Sequence, residues 1–519
     1  MLLYAMFDDL FQILQSISSY SVPLLVTLAV SSLLRALVFA PTTPTKEIPL
    51  ARHASLNILS WLVPQFDWLQ NGFKHIHDAF NRNPNEILRL PSRDRTQIVL
   101  PPRFLDEIKD LPRSVMDVGK ATSDFFVGNW TTMDVDIFGH ATVDAVSAQY
   151  ISRMNHQVAP SLNEASFAFS QAFSECKDWT TVTLPSTILP LVAQTVARTV
   201  VGPELCRERD WIYSVIEYSQ NVFMSAVYLK LGPQILRPLI SMLMPQTYRI
   251  RQHRRRIHQL ASPLVKQALQ TKGAEGVYHK LKTSVDWLVE VSPEGEATPE
   301  MIIHRLTGIS FGATHTTSAH IMNCILDLAN DFDTYAGPLR EEIDTVLDAD
   351  GTQITNAHLS KMWKLDSFMK ESQRFHPISA LSVNRTVVQP YRLSSGTVLP
   401  QGAHISFAGG PMSQSDEYFK NAKSFDGFRF ERMRRNPSQD HHGLQFTSTY
   451  EGTLHFGHGR QTCPGRFLGS AISKIVLIKL LQRYDFRLAP GQSRPEDMTF
   501  MDMVVPHPEC QVMFKDRDS

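Results

Sequence analysis

Long segments of this chain carry apolar residues at three- and four-residue spacing, which is the periodicity of one face of an α-helix. Segments with the character of β-strands are short by comparison. With 519 residues and 43% hydrophobic content, the chain can bury a large core. The sequence therefore predicts a mainly α-helical fold with small β-sheets, arranged as a single large domain. The predicted helices span 160–173, 217–231, 248–270, 299–330 and 358–375, and the predicted strands span 98–100, 386–391, 397–399, 404–407, 486–488 and 510–514.

The N-terminal region contains no charged residue between positions 10 and 34. About 20 apolar residues are enough to span a bilayer as a helix. We therefore expect a membrane anchor followed by a connector that contains several prolines. The predicted organisation is a short segment over 1–20, a transmembrane anchor over 21–40, the connector over 41–56 and the large domain over 57–519.

Charges around this apolar stretch predict its orientation. Arg35, Lys46 and Arg52 lie at or after its end, and basic flanks tend to stay in the cytosol. A cleaved signal peptide is the alternative interpretation. It is less favoured because Asp8 and Asp9 stand before the apolar stretch, where a signal peptide carries basic residues. We expect a single-pass protein whose large domain is cytosolic.

Overall charge and cysteine usage exclude several classes of protein. The chain has 51 basic and 51 acidic residues, so it has no general attraction for nucleic acid, and we expect no nucleic-acid partner. Five cysteines are too few and too widely separated for a disulfide framework, and no pair has the spacing of zinc ligands. A cysteine with a chemical task would therefore act alone. The five are Cys176, Cys206, Cys324, Cys463 and Cys510.

The segment FGHGRQTCPGRF places one of these cysteines in an unusual setting. Pro464 follows Cys463, and proline is favoured in the first turn of a helix. Cys463 is thus predicted at a helix N-terminus, where free N–H groups and the helix dipole favour a thiolate. Gly457 and Gly459 would let the preceding loop turn sharply and approach a flat group closely. A buried structural cysteine in a glycine-rich turn is the alternative.

This segment resembles the haem-binding loop of the cytochrome P450 family, whose pattern is F-x-x-G-x-[RH]-x-C-x-G. Phe456, Gly459, Cys463 and Gly465 match it. The resemblance implies haem b (iron protoporphyrin IX) as cofactor, with the Cys463 thiolate as the iron ligand. Gln461 departs from the pattern, because the family has a basic residue there that contacts a haem propionate.

Cations elsewhere are candidates for that propionate contact. Arg460 lies next to the departing glutamine. Arg385 corresponds to a family arginine that often pairs with a propionate. The family's W-x-x-x-R helix is not recognisable, and Arg153 and His156 are the other basic candidates from that region.

A second motif, KESQRFHP, resembles the family's E-x-x-R motif. Glu371 and Arg374 are three residues apart and share one face of a helix. The stretch FDGFRF aligns with the family loop that supplies a third member, which places Arg429 in that role. The resemblance implies a buried structural triad behind the haem. An ordinary surface ion pair, which contributes little to stability, is the alternative.

A third motif, FGATHTTS, lies inside the long predicted helix over 299–330. It resembles the family's oxygen-binding segment, in which a kink near the glycine opens a groove for dioxygen. By this resemblance Thr316 steers proton delivery. His315 stands where the family has an acidic residue, and an imidazole can also relay protons near neutral pH. A polar side chain facing water is the alternative for His315.

Together the motifs imply a haem-thiolate monooxygenase that uses dioxygen and electrons from a separate NADPH-dependent reductase. With the predicted anchor, the resemblance implies an enzyme of the endoplasmic reticulum membrane. A basic surface near the cysteine could receive the reductase, with ordinary surface charge as the alternative. Its candidate residues are Lys420, Lys423, Arg432, Arg434 and Arg435.

The residues at the variable positions of these motifs resemble those of fungal microsomal enzymes of secondary metabolism. This similarity implies a bulky, apolar substrate of terpenoid or indole alkaloid type. The same scaffold could instead serve radical coupling, desaturation or peroxide isomerisation, and a non-catalytic haem protein is a further alternative. Candidate walls of an apolar pocket are Phe125, Phe126, and residues 223–227, 378–383 and 500–504.

Overall fold

The computed structural model describes residues 64–90, 96–152, 154–173, 175–232, 234–272, 283–348, 354–437 and 443–517. Helices dominate this part of the chain. They are α1 (Pro64–Arg82), α2 (Leu105–Ile108), α3 (Val118–Phe125), α4 (Gly128–Thr131), α5 (His140–Ser152), α6 (Met154–Ala172), α7 (Leu184–Val200), α8 (Arg209–Leu231), α9 (Arg237–Leu243), α10 (Pro245–Gln270), α11 (Ser284–Val291), α12 (Pro299–Asn330), α13 (Phe332–Asp348), α14 (Asn356–Lys361), α15 (Trp363–Phe375), α16 (Gly409–Ser413), α17 (Arg429–Arg435) and α18 (Arg466–Arg483).

Short strands form small sheets beside the helices. The largest has the order β1-β2-β8-β5-β3, with β2 and β8 parallel and the other neighbours antiparallel. The other sheets are β4-β12-β9, β10-β11 and β6-β7. The strands are β1 (Leu88–Arg89), β2 (Gln97–Val99), β3 (Met116–Asp117), β4 (Thr180–Thr183), β5 (Ser382–Val387), β6 (Tyr391–Arg392), β7 (Val398–Leu399), β8 (His404–Phe407), β9 (Tyr484–Arg487), β10 (Met498–Phe500), β11 (Met503–Val505) and β12 (Gln511–Asp516).

The long helix α12 is the central element of the helical core. Its start is defined locally, because the Thr298 side chain accepts a hydrogen bond from the Met301 backbone and a proline occupies the first turn. The helix contacts α7, α8, α10, α15 and α18. Most of its residues are buried, which is expected for a helix enclosed on several sides. Any site that α12 lines therefore lies inside the protein.

The predicted mainly helical architecture with small sheets is confirmed, and the predicted bounds of α12 agree with the structure. The single helix predicted over 358–375 is wrong, because the chain is non-helical at Met362 and forms α14 and α15 instead. The predicted anchor over 21–40 and its connector lie outside the described residues. Among the described helices, none combines the length and the apolar character needed to cross a bilayer.

Candidate active site

Cys463 lies in a tight loop that precedes α18. Its backbone N–H donates to the Phe456 carbonyl at 2.7 Å, which closes the loop. Gly459 has a φ of +71°, and a side chain there would lie 2.3 Å from the Lys109 carbonyl oxygen, so only glycine fits. The helix begins at Arg466 and not at the predicted Pro464, which lies in the turn before it. The loop thus holds Cys463 just ahead of a helix N-terminus.

The Cys463 thiol faces an open space inside the protein. It is solvent-accessible even though protein atoms enclose the surrounding region. Burial raises the pKa of the thiol, while hydrogen bonds from the Gly465 and Arg466 backbone and the Arg466 charge partly offset this effect. The protein alone therefore does not hold Cys463 as a thiolate at neutral pH. A bound metal ion would, because coordination deprotonates a thiol.

The long helix α12 has an interruption in its buried surface at the segment 312–316. Gly312 and Thr316 are exposed, although Thr314 and most other residues of the helix are buried. A side chain at position 312 would meet no atom within 4 Å. The Thr316 hydroxyl donates to the Gly312 carbonyl at 2.7 Å, so the oxygen lone pairs of this hydroxyl stay available as acceptors. The helix runs without a break through this segment.

His315 is directed toward a neighbouring helix. Its ring forms a hydrogen bond with the backbone of Ile216 on α8, and among the described residues its Nε2 atom has no hydrogen-bond partner. Burial lowers the pKa of His315 to about 4. The ring is therefore neutral at physiological pH and differs in charge from the carboxylate that the family has at this position. The role of His315 in a proton relay stays a prediction.

Arg385 on β5 is a buried cation beside the cysteine loop. It is 2% exposed and donates to the Asn384 carbonyl at 2.8 Å and to the Gln461 carbonyl at 3.4 Å. Burial lowers its pKa to about 10, which still leaves the guanidinium charged at neutral pH. No carboxylate of the described residues forms an ion pair with it, and a buried charge of this kind needs a counterion. Arg385 is thus suited to an anionic group such as a propionate.

The other candidate cations have different surroundings. The Arg460 side chain is exposed, while its backbone N–H donates to the Lys109 carbonyl and to the Asp110 carboxylate, both at 3.1 Å. Arg153 lies outside the described residues, and His156 is exposed on α6. Arg385 is therefore the candidate that combines burial with an unpaired charge.

Gln461 has a structural task that the sequence did not reveal. Its side-chain oxygen accepts from the Val118 N–H at 3.0 Å, and its side-chain nitrogen donates to the carbonyls of Leu111 and Met116 at 3.1 and 2.8 Å. One amide thus ties the cysteine loop to the segment that leads into α3. An arginine or histidine could not reproduce this pattern, because charged forms of these side chains accept no hydrogen bond.

We expect Gln461→Ala to destabilise the protein by about 1–3 kcal/mol, because it leaves one N–H and two carbonyls without their partners. The measurement is the thermal unfolding midpoint of the detergent-solubilised full chain. Gln445→Ala is a control, because Gln445 is exposed and its side chain forms no hydrogen bond with another described residue. Equal midpoints for both variants would contradict the bridging role.

Glu371, Arg374 and Arg429 meet in the interior of the protein. Arg374 forms two parallel hydrogen bonds with the Glu371 carboxylate, at 2.8 and 2.7 Å. Arg429 Nε lies 3.2 Å from both carboxylate oxygens. The side chains of Glu371 and Arg374 are 0% exposed and that of Arg429 is 10% exposed. Backbone carbonyls take the remaining guanidinium protons, so two arginines and one carboxylate hold the loop 413–424 in place.

The loop that carries Arg429 differs from the family pattern for a steric reason. A side chain at Gly427 would come within 2.6 Å of the Phe368 ring and 2.7 Å of the Tyr335 ring. Phe428 packs edge-on against Tyr335, with ring centroids 5.4 Å apart. Glycine followed by phenylalanine thus lets the loop pack closely on an aromatic cluster.

Phenylalanine rings form an apolar wall next to the exposed face of α12. Phe311, the residue before Gly312, packs edge-on against Phe126 at 4.9 Å between ring centroids. Phe126 packs on Phe223 at 6.5 Å, and Phe223 packs on Phe500 at 5.3 Å. The sequence predicted Phe126, Phe223 and Phe500 as wall candidates. It missed Phe311, although this residue is the first of the FGATHTTS motif.

The predicted basic surface is only partly available to a partner. The Arg434 side chain is 11% exposed and lies 3.6 Å from Asp366, so it belongs to the interior. Arg432 pairs with Asp426, and Arg435 pairs with Glu431. Two of the five predicted residues, Lys420 and Lys423, are exposed cations that form no ion pair with another described residue.

These observations fit a haem. Cys463 is accessible within an enclosed region, Gly312 leaves open space beside α12, and Arg385 is a buried cation that pairs with no carboxylate of the described residues. A single thiolate would suffice as the protein ligand, because a porphyrin would supply the nitrogen donors to the iron.

Comparison with known proteins agrees with the site. The cytochrome P450 family model matches residues 177–514. The chain is 33% identical over 460 residues to the cytochrome P450 monooxygenase olcJ of Penicillium canescens, covering 88% of this chain and 86% of that protein. It is 27% identical over 482 residues to an ent-kaurene oxidase of Gibberella intermedia, covering 92% and 89%. The structure of a retinoic acid-bound cyanobacterial protein, CYP120A1, superimposes with a TM-score of 0.66 at 14% identity, covering 91% of this chain and 99% of that one.

Proposed function

Because the chain belongs to the cytochrome P450 family and is a haem-dependent monooxygenase, we propose that it oxidises a bulky, apolar natural product in fungal secondary metabolism. Cys463 is the proposed protein ligand of the haem iron, and Arg385 the proposed counterion of a propionate. Bound in this way, haem supplies the activation of dioxygen. The observation that carries the proposal is the accessible Cys463 just ahead of α18, in a loop whose Gln461 carbonyl accepts from the buried Arg385.

The protein's own groups divide into three roles. The Thr316 hydroxyl, oriented by the Gly312 carbonyl, is proposed to hold a proton next to the site of oxygen chemistry. His315 is proposed to take part as a neutral group, because its lowered pKa keeps it uncharged above about pH 5. Phe456, Gly459 and Gly465 are proposed to shape the loop around the ligand, and the Glu371 triad to hold the loop 413–424 in place.

The aromatic wall supports an apolar substrate. Rings of Phe311, Phe126, Phe223 and Phe500 offer a continuous hydrocarbon surface without a charged group among them. Such a surface binds an apolar molecule mainly because the apolar areas of the protein and of the molecule are both removed from water. The relative named as an ent-kaurene oxidase supports a terpenoid. We therefore propose terpenoid or indole-containing precursors as the substrate class.

The redox partner and the cellular location are the remaining parts of the proposal. We propose that a separate NADPH-dependent reductase supplies the electrons and that the apolar N-terminal segment anchors the enzyme in the endoplasmic reticulum membrane, with the domain in the cytosol. The exposed Lys420 and Lys423 are the proposed contacts for an acidic reductase surface.

Product analysis tests this function. The full chain is co-expressed with a fungal NADPH-dependent reductase and incubated with a panel of terpenoid and indole precursors, ent-kaurene among them. We expect an oxygenated product that carries label from labelled dioxygen and requires NADPH. Products lacking the label would point to desaturation or coupling. Turnover of a peroxide substrate without NADPH would instead indicate an isomerase.

Thr316→Ala is expected to divert electrons from product to hydrogen peroxide, because the hydroxyl that holds the proton is lost. The measurement is the ratio of peroxide to product per NADPH consumed. Thr316→Ser is the matched control, since it keeps the hydroxyl and should keep the coupling. An unchanged ratio in Thr316→Ala would rule out this role.

A further inference from the structure

Away from the cysteine loop, four ionisable side chains form a ring of ion pairs beside the C-terminal half of α12. His376 Nε2 lies 3.1 Å from Asp327 Oδ1, and His376 Nδ1 lies 2.6 Å from Asp497 Oδ2. Arg494 Nε lies 2.8 Å from Asp327 Oδ1, and Arg494 Nη2 lies 3.3 Å from Asp497 Oδ1. We refer to Asp327, His376, Arg494 and Asp497 as the ionic cluster.

The charges of the ionic cluster balance. Burial disfavours the charged form of His376, but the carboxylates of Asp327 and Asp497 outweigh it and raise the pKa of His376 to about 9. Burial also opposes ionisation of Asp327, yet the charges of His376 and Arg494 and the hydrogen bonds from His376 and Ser372 lower its pKa. At neutral pH two carboxylates therefore face two cations. Removing one member leaves a buried charge without compensation.

The ionic cluster joins three parts of the fold. Asp327 belongs to α12, His376 directly follows α15, and Arg494 and Asp497 precede β10. The Ser372 hydroxyl on α15 also donates to Asp327 Oδ2 at 2.6 Å. The side chains of Asp327, His376, Arg494 and Asp497 are between 4% and 15% exposed, so water competes little for these contacts. The cluster is a fixed junction in the interior.

This junction fixes the base of the hairpin formed by β10 and β11. Asp497 is the residue immediately before β10. At the tip, the Ser379 hydroxyl donates to the Asp502 carboxylate at 2.8 Å. Between base and tip stands Phe500, whose ring packs against Phe223 at 5.3 Å in the aromatic wall. This ring thus lies between the two side-chain attachments of the hairpin.

We propose that His376 is a positioning residue that sets the shape of the substrate pocket by fixing the β10–β11 hairpin to α12. This inference rests on the proposed function only in taking the aromatic wall as the pocket. Asp327 lies on the helix that carries Thr316, about 16 Å further along its axis. The ionic cluster thus links the position of the Phe500 ring to the helix that lines the site, although no member of the cluster touches that site.

Two azole ligands of the haem iron can distinguish a change in pocket shape from a change in access to the iron. Imidazole is small and reports access to the iron, whereas phenylimidazole must also fit its ring against the pocket wall. Their dissociation constants are measured from the Soret shift of the full-length holoenzyme in His376→Gln and Asp497→Asn. Asp485→Asn is the matched control. Asp485 lies on β9, outside the cluster, and its carboxylate forms an ion pair with Arg340 at 2.7 Å.

We expect both cluster variants to bind phenylimidazole about tenfold more weakly, the size of one lost aromatic contact. Imidazole affinity should change less than about twofold, and Asp485→Asn should behave as the parent for both ligands. Unchanged phenylimidazole affinity in both variants, or an equal loss for the two ligands, would overturn the positioning role. If His376→Gln does not load haem, Asp497→Asn alone decides. The assay requires only bound haem, so a wrong substrate class would leave its outcome intact.

Discussion

Cys463→Ala is expected to abolish both the thiolate-type Soret band of the reduced carbon monoxide complex and all monooxygenase activity. The reason is that among the described cysteines only Cys463 is exposed toward the open interior, while Cys176, Cys206, Cys324 and Cys510 are buried. No other described cysteine can therefore replace the ligand.

The measurement is the reduced, carbon monoxide-bound spectrum of the full chain, recorded with the haem content of the same sample. Cys510→Ala is the control, because it removes a thiol of similar size from the interior and should leave the band in place. A thiolate-type band that survives in Cys463→Ala would eliminate Cys463 as the ligand. Loss of the band in Cys510→Ala at full haem content would also contradict the assignment.

The features that the sequence predicted well are those with local causes. The bounds of α12 follow from a capping threonine, a proline in the first turn and apolar residues at helical spacing along the segment. The break at Met362 has a distant cause. The carboxylate of Glu342, on α13, accepts from the N–H groups of Lys364 and Leu365 at 2.7 and 2.9 Å and caps a second helix there. No pattern in the segment itself indicates a cap that arrives from another helix.

The same distinction applies to the site. The sequence revealed that Gln461 departs from the family pattern, because that is a property of one position. It could not show that the Gln461 amide bonds to Val118, Leu111 and Met116, since those partners are more than 340 positions away. Phe311 was missed for a related reason, because apolar residues on a buried helix all look alike until ring contacts show which one faces the site.

Glu371→Gln is expected to destabilise the protein by about 3–5 kcal/mol, the cost of leaving a buried charge without its partner. Two guanidinium groups, those of Arg374 and Arg429, share this one carboxylate, and neither can turn toward water because both are at least nine-tenths buried. Glutamine has the same shape, so a cavity cannot explain the loss. The backbone carbonyls that accept from both arginines would remain, but they carry no full charge.

A matched variant tests whether the burial of the arginines is the cause. Glu164 is also buried, with 3% of its side chain exposed, and binds Arg207 through two parallel hydrogen bonds at 3.0 and 3.1 Å. Arg207, however, is 52% exposed, so water can solvate it when the carboxylate is lost. Glu164→Gln should therefore cost about 1 kcal/mol. The measurements are the thermal unfolding midpoint and the yield of haem-loaded full chain, and equal losses in the two variants would refute the role of arginine burial.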